Sequence, residues 1–308
     1  MTEQRNLRNV GASVRQRLLN RSRDRGEDFG WLLSRYAVER LLYRLATSVY
    51  ADQFTLKGAQ LFATWMDSPY RMTRDLDLLR WGDPAIPVLE GIFRSLCEQA
   101  VDVPDGIDYL PDTVRGEAIR EETEYGGVRV RVGYHIADAR DTLQIDIGVG
   151  DAVVPQVAAY PSLLGLPAPQ IRAYPRESVV AEKYHAMVLL GIANSRMKDY
   201  LDLHVIAREF AFEGEALARA IAATFERRAT VVPIEMPVAL TPEFASDSTK
   251  RAQWQGFLKR SRLVVPVPDL ADVTSQLQAF LVPPTLAVAG GLPFRARWPA
   301  GGPWRDDS

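Results

Sequence analysis

Asp75 and Asp77 stand one residue apart in the stretch Arg71-Met-Thr-Arg-Asp-Leu-Asp-Leu-Leu79, and that spacing constrains the fold more than any other feature. In an extended strand, residues i and i+2 point to the same face. Leu76, Leu78 and Leu79 supply apolar side chains that seat such a strand in a sheet. Two carboxylates on one face of a seated strand repel each other, and folding alone gives little reason to keep them. A divalent cation removes the repulsion. Mg²⁺ is typically held by one or two carboxylates together with substrate phosphates. Asp-Leu-Asp is therefore a candidate metal site for phosphoryl or nucleotidyl transfer. Taken alone the motif is short, and Asp-x-Asp also occurs as a solvated edge or turn.

Composition narrows the alternatives. The chain has 308 residues, 47% apolar and 25% charged, enough for one large globular domain or two smaller ones. Its formal charge of −2 gives no global basic field, so a nucleic-acid partner must be held by a local patch. Cys97 is the single cysteine, which excludes an internal disulfide framework and a cysteine-cluster zinc site and fits a reducing compartment. His135, His185 and His204 leave little material for a histidine-based metal centre, and His185 and His204 read as packing or hydrogen-bonding residues. No apolar run approaches the roughly 18 residues of a spanning helix, and the polar, Arg-rich start is no secretory signal. A cytoplasmic protein without a membrane partner is expected. Of 37 basic residues only Lys57, Lys183, Lys198, Lys250 and Lys259 are lysine. Arginine serves wherever a generic positive charge will do, so each lysine is a candidate for a specific role. A compact ammonium on a flexible stem suits a triphosphate.

Along the chain, helical spacing of apolar residues runs from about Asp28 to Tyr50, and residues 5–44 hold ten arginines against four acids. That surface reads either as a solvated helix face or as a phosphate-contacting one. Phe54–Lys57 reads as a short strand, Gly58–Trp65 as a helix, Thr73–Leu79 as a strand and 101–118 as loop. Val128–Val132 and Leu143–Val149 alternate as half-exposed strands, with Gln144, Asp146 and Gly148 sharing one face. Beyond about Pro169 the pattern turns helical: Glu177–Ile192, Met197–Phe210, Gly214–Arg228, Thr241–Leu258 and Leu270–Phe280, the last stopped by Pro283-Pro284. The expected class is α+β. An α/β domain with a mixed sheet occupies 1–165, a helical domain 166–282, and a Gly/Pro-rich tail without core period 283–308.

Five pieces then fall in order. Lys57-Gly58-Ala59 puts a glycine at a strand-to-helix turn, where phosphates can approach backbone N–H groups. Asp75 and Asp77 follow, then Asp146 on a later strand. Three strand carboxylates are the set that two metal ions need, one to activate a hydroxyl and one to neutralise a triphosphate. Glu182-Lys183 lies on a helix flanked by Val179, Val180 and Ala181. Asp199 and Asp202, three apart on the next helix, share a face, either as a surface network with Arg196 and Lys198 or with Asp199 orienting Lys183 or contacting the nucleotide.

Assembled, Leu56-Lys57-Gly58-Ala59, Arg71-Met-Thr73-Arg-Asp75-Leu-Asp77-Leu, Ile145-Asp146-Ile-Gly148, Ala181-Glu182-Lys183 and Lys198-Asp199-Tyr-Leu-Asp202-Leu resemble the AbiEii-type nucleotidyltransferase toxins, which include MenT-like proteins, within the DNA polymerase β-like nucleotidyltransferase superfamily. The resemblance covers roughly residues 50–260. It implies a polymerase β-like catalytic domain followed by a helical domain that completes the active site. It implies catalytic Asp75, Asp77, Asp146, Lys183 and Asp199. It implies Mg²⁺, two ions, on Asp75, Asp77 and Asp146, and an NTP bound by Lys57, Gly58, Ala59, Thr73, Lys183 and Asp202. The implied reaction adds NMP to the 3′ acceptor end of tRNA, which blocks aminoacylation and translation, in a type IV-like toxin–antitoxin system with a separately encoded antitoxin. Ala59 departs from the family, which usually has Gly or Ser there, and its side chain cannot hydrogen-bond a phosphate.

Other readings keep parts of this. The same chemistry could use a protein or small-molecule hydroxyl, or the chain could bind an NTP without turnover. A glycosyltransferase with an Asp-x-Asp site has no natural place for Asp146 and Lys183.

Overall fold

A computed structural model describes residues 2–67, 70–119, 127–150, 153–261, 263 and 266–306, with side chains from residue 10 onward. The protein mixes helices with a mixed seven-stranded sheet. It divides into two compact units, Met1–Asp151 with Pro155–Tyr174 and Ala152–Val154 with Pro175–Ser308.

In the first unit, helices α1 (Thr2–Arg25) and α2 (Phe29–Ala46) precede strand β1 (Phe54–Lys57), the short α3 (Phe62–Trp65), β2 (Leu76–Arg80) and α4 (Ile86–Glu98). Strands β3 (Asp108–Ile119), β4 (Gly127–Ile136), β5 (Ala139–Val149), β6 (Gln156–Ala159) and β7 (Gln170–Ala173) complete it. The sheet order is β3-β4-β5-β2-β1-β7-β6. Strand β2 pairs parallel with β5 and antiparallel with β1, so the two acid-bearing strands are neighbours at the centre. Leu56, Leu76, Leu78, Val130, Ile145 and Ile147 are buried and set this register. Helix α4 carries Leu89, Ile92, Phe93 and Leu96 at i, i+3, i+4, i+7 spacing, all buried.

Three expectations change here. The segment 101–118, read as loop, contains most of β3; a register shift between Leu110 and Arg115, around Pro111, breaks the alternation that would have marked a strand. Strand β2 starts at Leu76, so Asp75 lies just before it. Strand β7, beyond residue 165, belongs to the first unit.

The arginine-rich start is mostly engaged inside this unit. Arg40 and Arg44, one helical turn apart, converge on buried Asp105 at 3.0 and 2.6 Å. The Tyr36 hydroxyl donates to the Asp105 carbonyl, and the Glu39 carboxylate accepts from Ser162 Oγ and the Leu163 amide. Burial pushes Glu39 above the ordinary carboxylate value, against the pull of those two hydrogen bonds. Arg35 stacks on Trp31, Arg15 pairs with Asp138, Arg17 donates to the Leu164 carbonyl, and Arg21 reaches Glu27. Arg35, Arg40 and Arg44 are buried and so do not form a solvated face, Arg15 and Arg21 are half-buried, and Arg17, Arg23 and Arg25 are exposed. The side chains of Arg5 and Arg8 lie outside the described residues.

The second unit is built from α5 (Arg176–Leu190), α6 (Met197–Glu209), β8 (Phe212–Glu213), α7 (Gly214–Arg227), α8 (Pro242–Ser246), α9 (Ser248–Arg260), α10 (Leu270–Ala289) and β9 (Arg297–Trp298). Tyr184, Leu201, Ile206, Leu217, Phe225 and Leu277 form its core. The single helix expected over 241–258 is two. Asp247 separates them and caps α9 by accepting from the Lys250 amide at 2.9 Å. Helix α10 does not stop at Pro283-Pro284 but continues to Ala289. Pro284 has no N–H to give the Phe280 carbonyl; the Trp304 indole donates to that carbonyl instead, at 2.9 Å. The tail thus supplies what the proline removes. Trp298 is buried and donates to the Ala207 carbonyl at 2.7 Å, and β9 pairs with β8. Residues 283–306 belong to this unit, which buries Pro284, Thr285 and Trp298. Among the described residues no helix is long and apolar enough to cross a membrane.

Candidate active site

Four charged residues form one row across the first unit's sheet. Lys57 ends β1 opposite Asp77 on β2. Asp77 lies beside Asp146 on β5, and Asp146 lies opposite Arg129 on β4. Residues in register on adjacent strands project to the same face, so the row reads Lys, Asp, Asp, Arg. Two carboxylates side by side are bracketed by two cations. Arg129 grips Asp146 with both prongs, Nε to Oδ1 and Nη2 to Oδ2, each at 2.8 Å. That hydrogen bonding raises the Arg129 pKa, and Asp75 acts in the same direction, which puts Asp75 within electrostatic reach of the row. Asp75 is exposed, whereas Asp77, Asp146 and Lys57 are half-buried.

Two glycines make room for this row. At Gly58 φ is +69°, and a Cβ there would sit 2.0 Å from Asp77 Oδ2. Gly58 opens a 3₁₀ turn of four residues, which is followed by α3, also of four. So short a helix contributes little dipole, and the glycine's clearest task is to admit the Asp77 carboxylate. At Gly148 a Cβ would lie 3.0 Å from Lys57 Nζ, so the lysine amine runs past the bare glycine. Ala59 turns with the same 3₁₀ segment and is half-buried. Next to it, Gln60 is buried; its side chain donates to the Asp75 carbonyl at 3.1 Å and accepts from Tyr160 at 2.8 Å. The Thr73 carbonyl is held by the Trp31 indole at 3.1 Å. Gln60 and Trp31 thus pin the loop that carries Asp75.

Do these residues suit Mg²⁺? Asp75 and Asp77 offer the one or two carboxylates that this ion takes alongside phosphate oxygens and water, and in that they fit. Asp146 does not add a ready third ligand, because both its oxygens are on Arg129. Among the described residues no group of three or more His, Cys, Asp or Glu is gathered as a metal cage.

In the second unit, α5 and α6 bring together the other predicted residues. Lys183 Nζ lies 2.6 Å from Asp199 Oδ1 and 2.8 Å from Asp202 Oδ2, and Arg196 holds the other Asp199 oxygen at 2.7 Å. Burial pulls the Lys183 amine down, but the two aspartates outweigh it and the pKa is raised. Burial likewise pushes Asp199 up, and Lys183 with Arg196 outweighs that and lowers it. The arrangement is a charged lysine fixed in place by two carboxylates. Asp202 is fully buried behind it, the position of a group that holds the lysine. Arg228 donates to His185 Nδ1 at 3.3 Å and the other ring nitrogen pairs with Thr230 at 2.8 Å, which fixes a neutral ring. Burial, reinforced by Arg228, lowers the His185 pKa to about 4. His204 pairs with Gln276. Among the lysines, Lys198 is exposed, while Lys250 is buried on the Asn194 carbonyl at 2.9 Å.

Residues 40–276 match the family described as nucleotidyl transferase AbiEii toxin, type IV TA system. The chain belongs to the AbiEii family. It is thus a member of a nucleotidyl transferase family of type IV toxin–antitoxin systems. No curated protein matches it. Two solved structures from Helicobacter pylori are similar at 16% identity. JHP933 has a TM-score of 0.45 over 86% of this chain and 94% of its own. The other, described as a nucleotidyltransferase, has a TM-score of 0.43 over 86% and 97%. At those scores the likeness carries no weight in the reading of the site.

Sequence reasoning missed two residues of this candidate site. Arg129 was visible only as one of the polar positions in the alternating Val128–Val132 strand, and its pairing with Asp146 needed the register. Gln60 carried no signal beyond its place two residues after Gly58.

Proposed function

We propose that the chain is a Mg²⁺-dependent nucleotidyltransferase toxin that transfers NMP from an NTP to the 3′ acceptor end of tRNA, blocking aminoacylation and translation until a separately encoded antitoxin counters it. The observation that carries this reading is the in-register row of Lys57, Asp77 and Asp146 with Asp75 at its edge. In it, a hydroxyl attacks the α-phosphorus, the new P–O bond forms, and the bond to pyrophosphate breaks. Asp75 and Asp77 would hold Mg²⁺, which when bound supplies charge neutralisation at the phosphates. Asp146 receives or orients the proton of the attacking hydroxyl. Lys57 and Lys183, the latter kept charged by Asp199 and Asp202, are the lysines assigned to offset phosphate charge. Gly58, Ala59 and Thr73 shape the backbone near the nucleotide. Two ions, polymerase β-like topology and a helical domain that completes the site are parts of the same proposal.

The test is direct. Purified protein is incubated with total tRNA and each α-labelled NTP in turn. Label should enter tRNA with at least one NTP and vanish in Asp75→Ala. If no RNA is labelled with any of the four, the reading fails. The net charge of −2 and the burial of Arg35, Arg40 and Arg44 favour a second acceptor class, a protein or small-molecule hydroxyl. Label found in protein or small molecules of a cell lysate, and not in tRNA, would select it.

A further inference from the structure

We propose that Arg129 withholds Asp146 from the metal in the nucleotide-free protein, so that the first ion is held by Asp75 and Asp77 alone and Asp146 becomes a ligand only when a substrate phosphate takes over the guanidinium. The inference rests on the metal-dependent reading above and goes beyond it in assigning Arg129 as the positioning residue of the third carboxylate.

Four observations point the same way. The grip is bidentate, with both Asp146 oxygens committed at 2.8 Å. Such fork-to-carboxylate pairs are among the stronger hydrogen-bonded contacts and are directional. Arg129 and Asp146 are directly opposed on antiparallel strands, so the sheet itself maintains the pairing. Gln144, on the same face two residues earlier, accepts from Arg129 Nε and Nη2 at 3.2 Å when its amide oxygen is turned toward the guanidinium. That second acceptor further restricts the arginine. Finally, no three-ligand cluster exists among the described residues although three aspartates are in or beside the row.

The pair is nevertheless exchangeable. The Arg129 and Asp146 side chains are 28% and 23% exposed. The buried Arg40–Asp105 pair is 0% and 3% exposed, so no incoming group could reach it. A guanidinium matches phosphate geometry as well as it matches carboxylate. A triphosphate reaching the row therefore offers Arg129 an equivalent partner of higher charge and frees Asp146 at the moment a third oxygen ligand is needed.

Mn²⁺ alone, titrated into the full chain and followed by electron paramagnetic resonance of the free ion, tests this without reference to turnover. Without nucleotide, Asp77→Asn should weaken Mn²⁺ binding strongly, while Asp146→Asn should leave Kd within about twofold. Arg129→Gln should tighten binding by roughly tenfold, because site affinity follows ligand charge count, and adding Asp146→Asn should erase that gain. With an NTP carrying a methylene α–β bridge, Asp146→Asn should now weaken or remove bound Mn²⁺. Arg129→Gln should melt within a few degrees of wild type, as expected for a half-exposed pair. The proposal is overturned if Asp146→Asn weakens nucleotide-free binding as much as Asp77→Asn does, if Arg129→Gln changes nothing, or if Asp146→Asn is silent with the nucleotide present. Binding that ignores Asp77→Asn, or no binding by wild type and Arg129→Gln alike, would instead sink the metal reading itself.

Discussion

Asp146 and Asp105 are both paired with arginine in the first unit, yet they stand in opposite circumstances. Asp105 is 2% exposed and receives Arg40 and Arg44 from one helix face. Its network ties α2 to the loops around residues 105 and 162–167, where Arg40 also donates to the Pro167 carbonyl at 3.0 Å. Asp146 and its neighbours Asp77 and Lys57 lie on a sheet face that remains partly open. In the buried network the charges satisfy one another. The open row also sets its two carboxylates between two cations, Lys57 and Arg129, but on a face that an incoming ligand can reach. The lesson is that burial, not residue type, separates charges that build the fold from charges that can act on a ligand.

Substitutions can break this contrast. The largest effect is expected for Asp77→Asn, which removes a carboxylate from the row. Nucleotidyl transfer should fall by about 10³-fold, corresponding to about 4 kcal/mol, with little change in melting temperature; a variant that transfers label normally would remove Asp77 from the site. The opposite pattern is expected for Asp105→Ala. Leaving two buried guanidinium groups without their partner costs about 3–5 kcal/mol of stability, read by denaturant titration, while the folded fraction keeps its transfer rate. If that variant unfolds at the wild-type midpoint, the network does not hold the unit together.

Gly58→Ala comes next and sharpens the comparison, because it alters no charge. The added methyl would sit 2.0 Å from Asp77 Oδ2 on a backbone with φ +69°. The backbone term alone is about 1–2 kcal/mol, and the displaced carboxylate should lower transfer toward the level of Asp77→Asn. Wild-type activity in Gly58→Ala would show that Asp77 need not occupy its observed place.

The smallest effect concerns the second unit's buried charges and pH. His185 is neutral and buried, with its pKa lowered from 6.5 to about 4. The unfolded chain therefore takes up a proton between those values that the folded chain does not. Stability should be level above about pH 7 and decline from pH 6.5 toward pH 4, by roughly 2–3 kcal/mol at most. His185→Gln should flatten that slope in thermal melts. The Lys183–Asp199 pair does not contribute there. The raised lysine matters only at and above its ordinary 10.5, and the lowered aspartate only near and below 3.8.

Much of the site was legible from residue types and period. Alternation in Leu143–Val149 placed Asp146 on the polar face, and the rarity of lysine singled out Lys57 and Lys183. The lysine argument made Lys198 and Lys250 candidates alike, yet Lys198 is exposed and Lys250 is buried on a carbonyl. Period misled where local chemistry interrupts it. Pro111 and the register shift hid β3, and Pro283-Pro284 read as a stop because the donor that Pro284 lacks at the Phe280 carbonyl comes from Trp304, far beyond it in the tail. The arginine excess at the start could not be sorted from sequence, since its partners Asp105, Asp138 and Leu164 lie far along the chain.

By itself the sequence determined the kinds of groups available, the order of the motifs, and the faces on which Asp77 and Asp146 project, because strand period depends only on neighbours along the chain. Only the tertiary structure decided that Asp77 and Asp146, far apart along the chain, stand side by side, that Gly58 is the space Asp77 occupies, and that Arg129 holds Asp146. Those outcomes depend on the register between strands. Burial of Leu76, Leu78, Ile145 and Ile147 fixes that register, since a slip of one residue would turn every one of them to the wrong face.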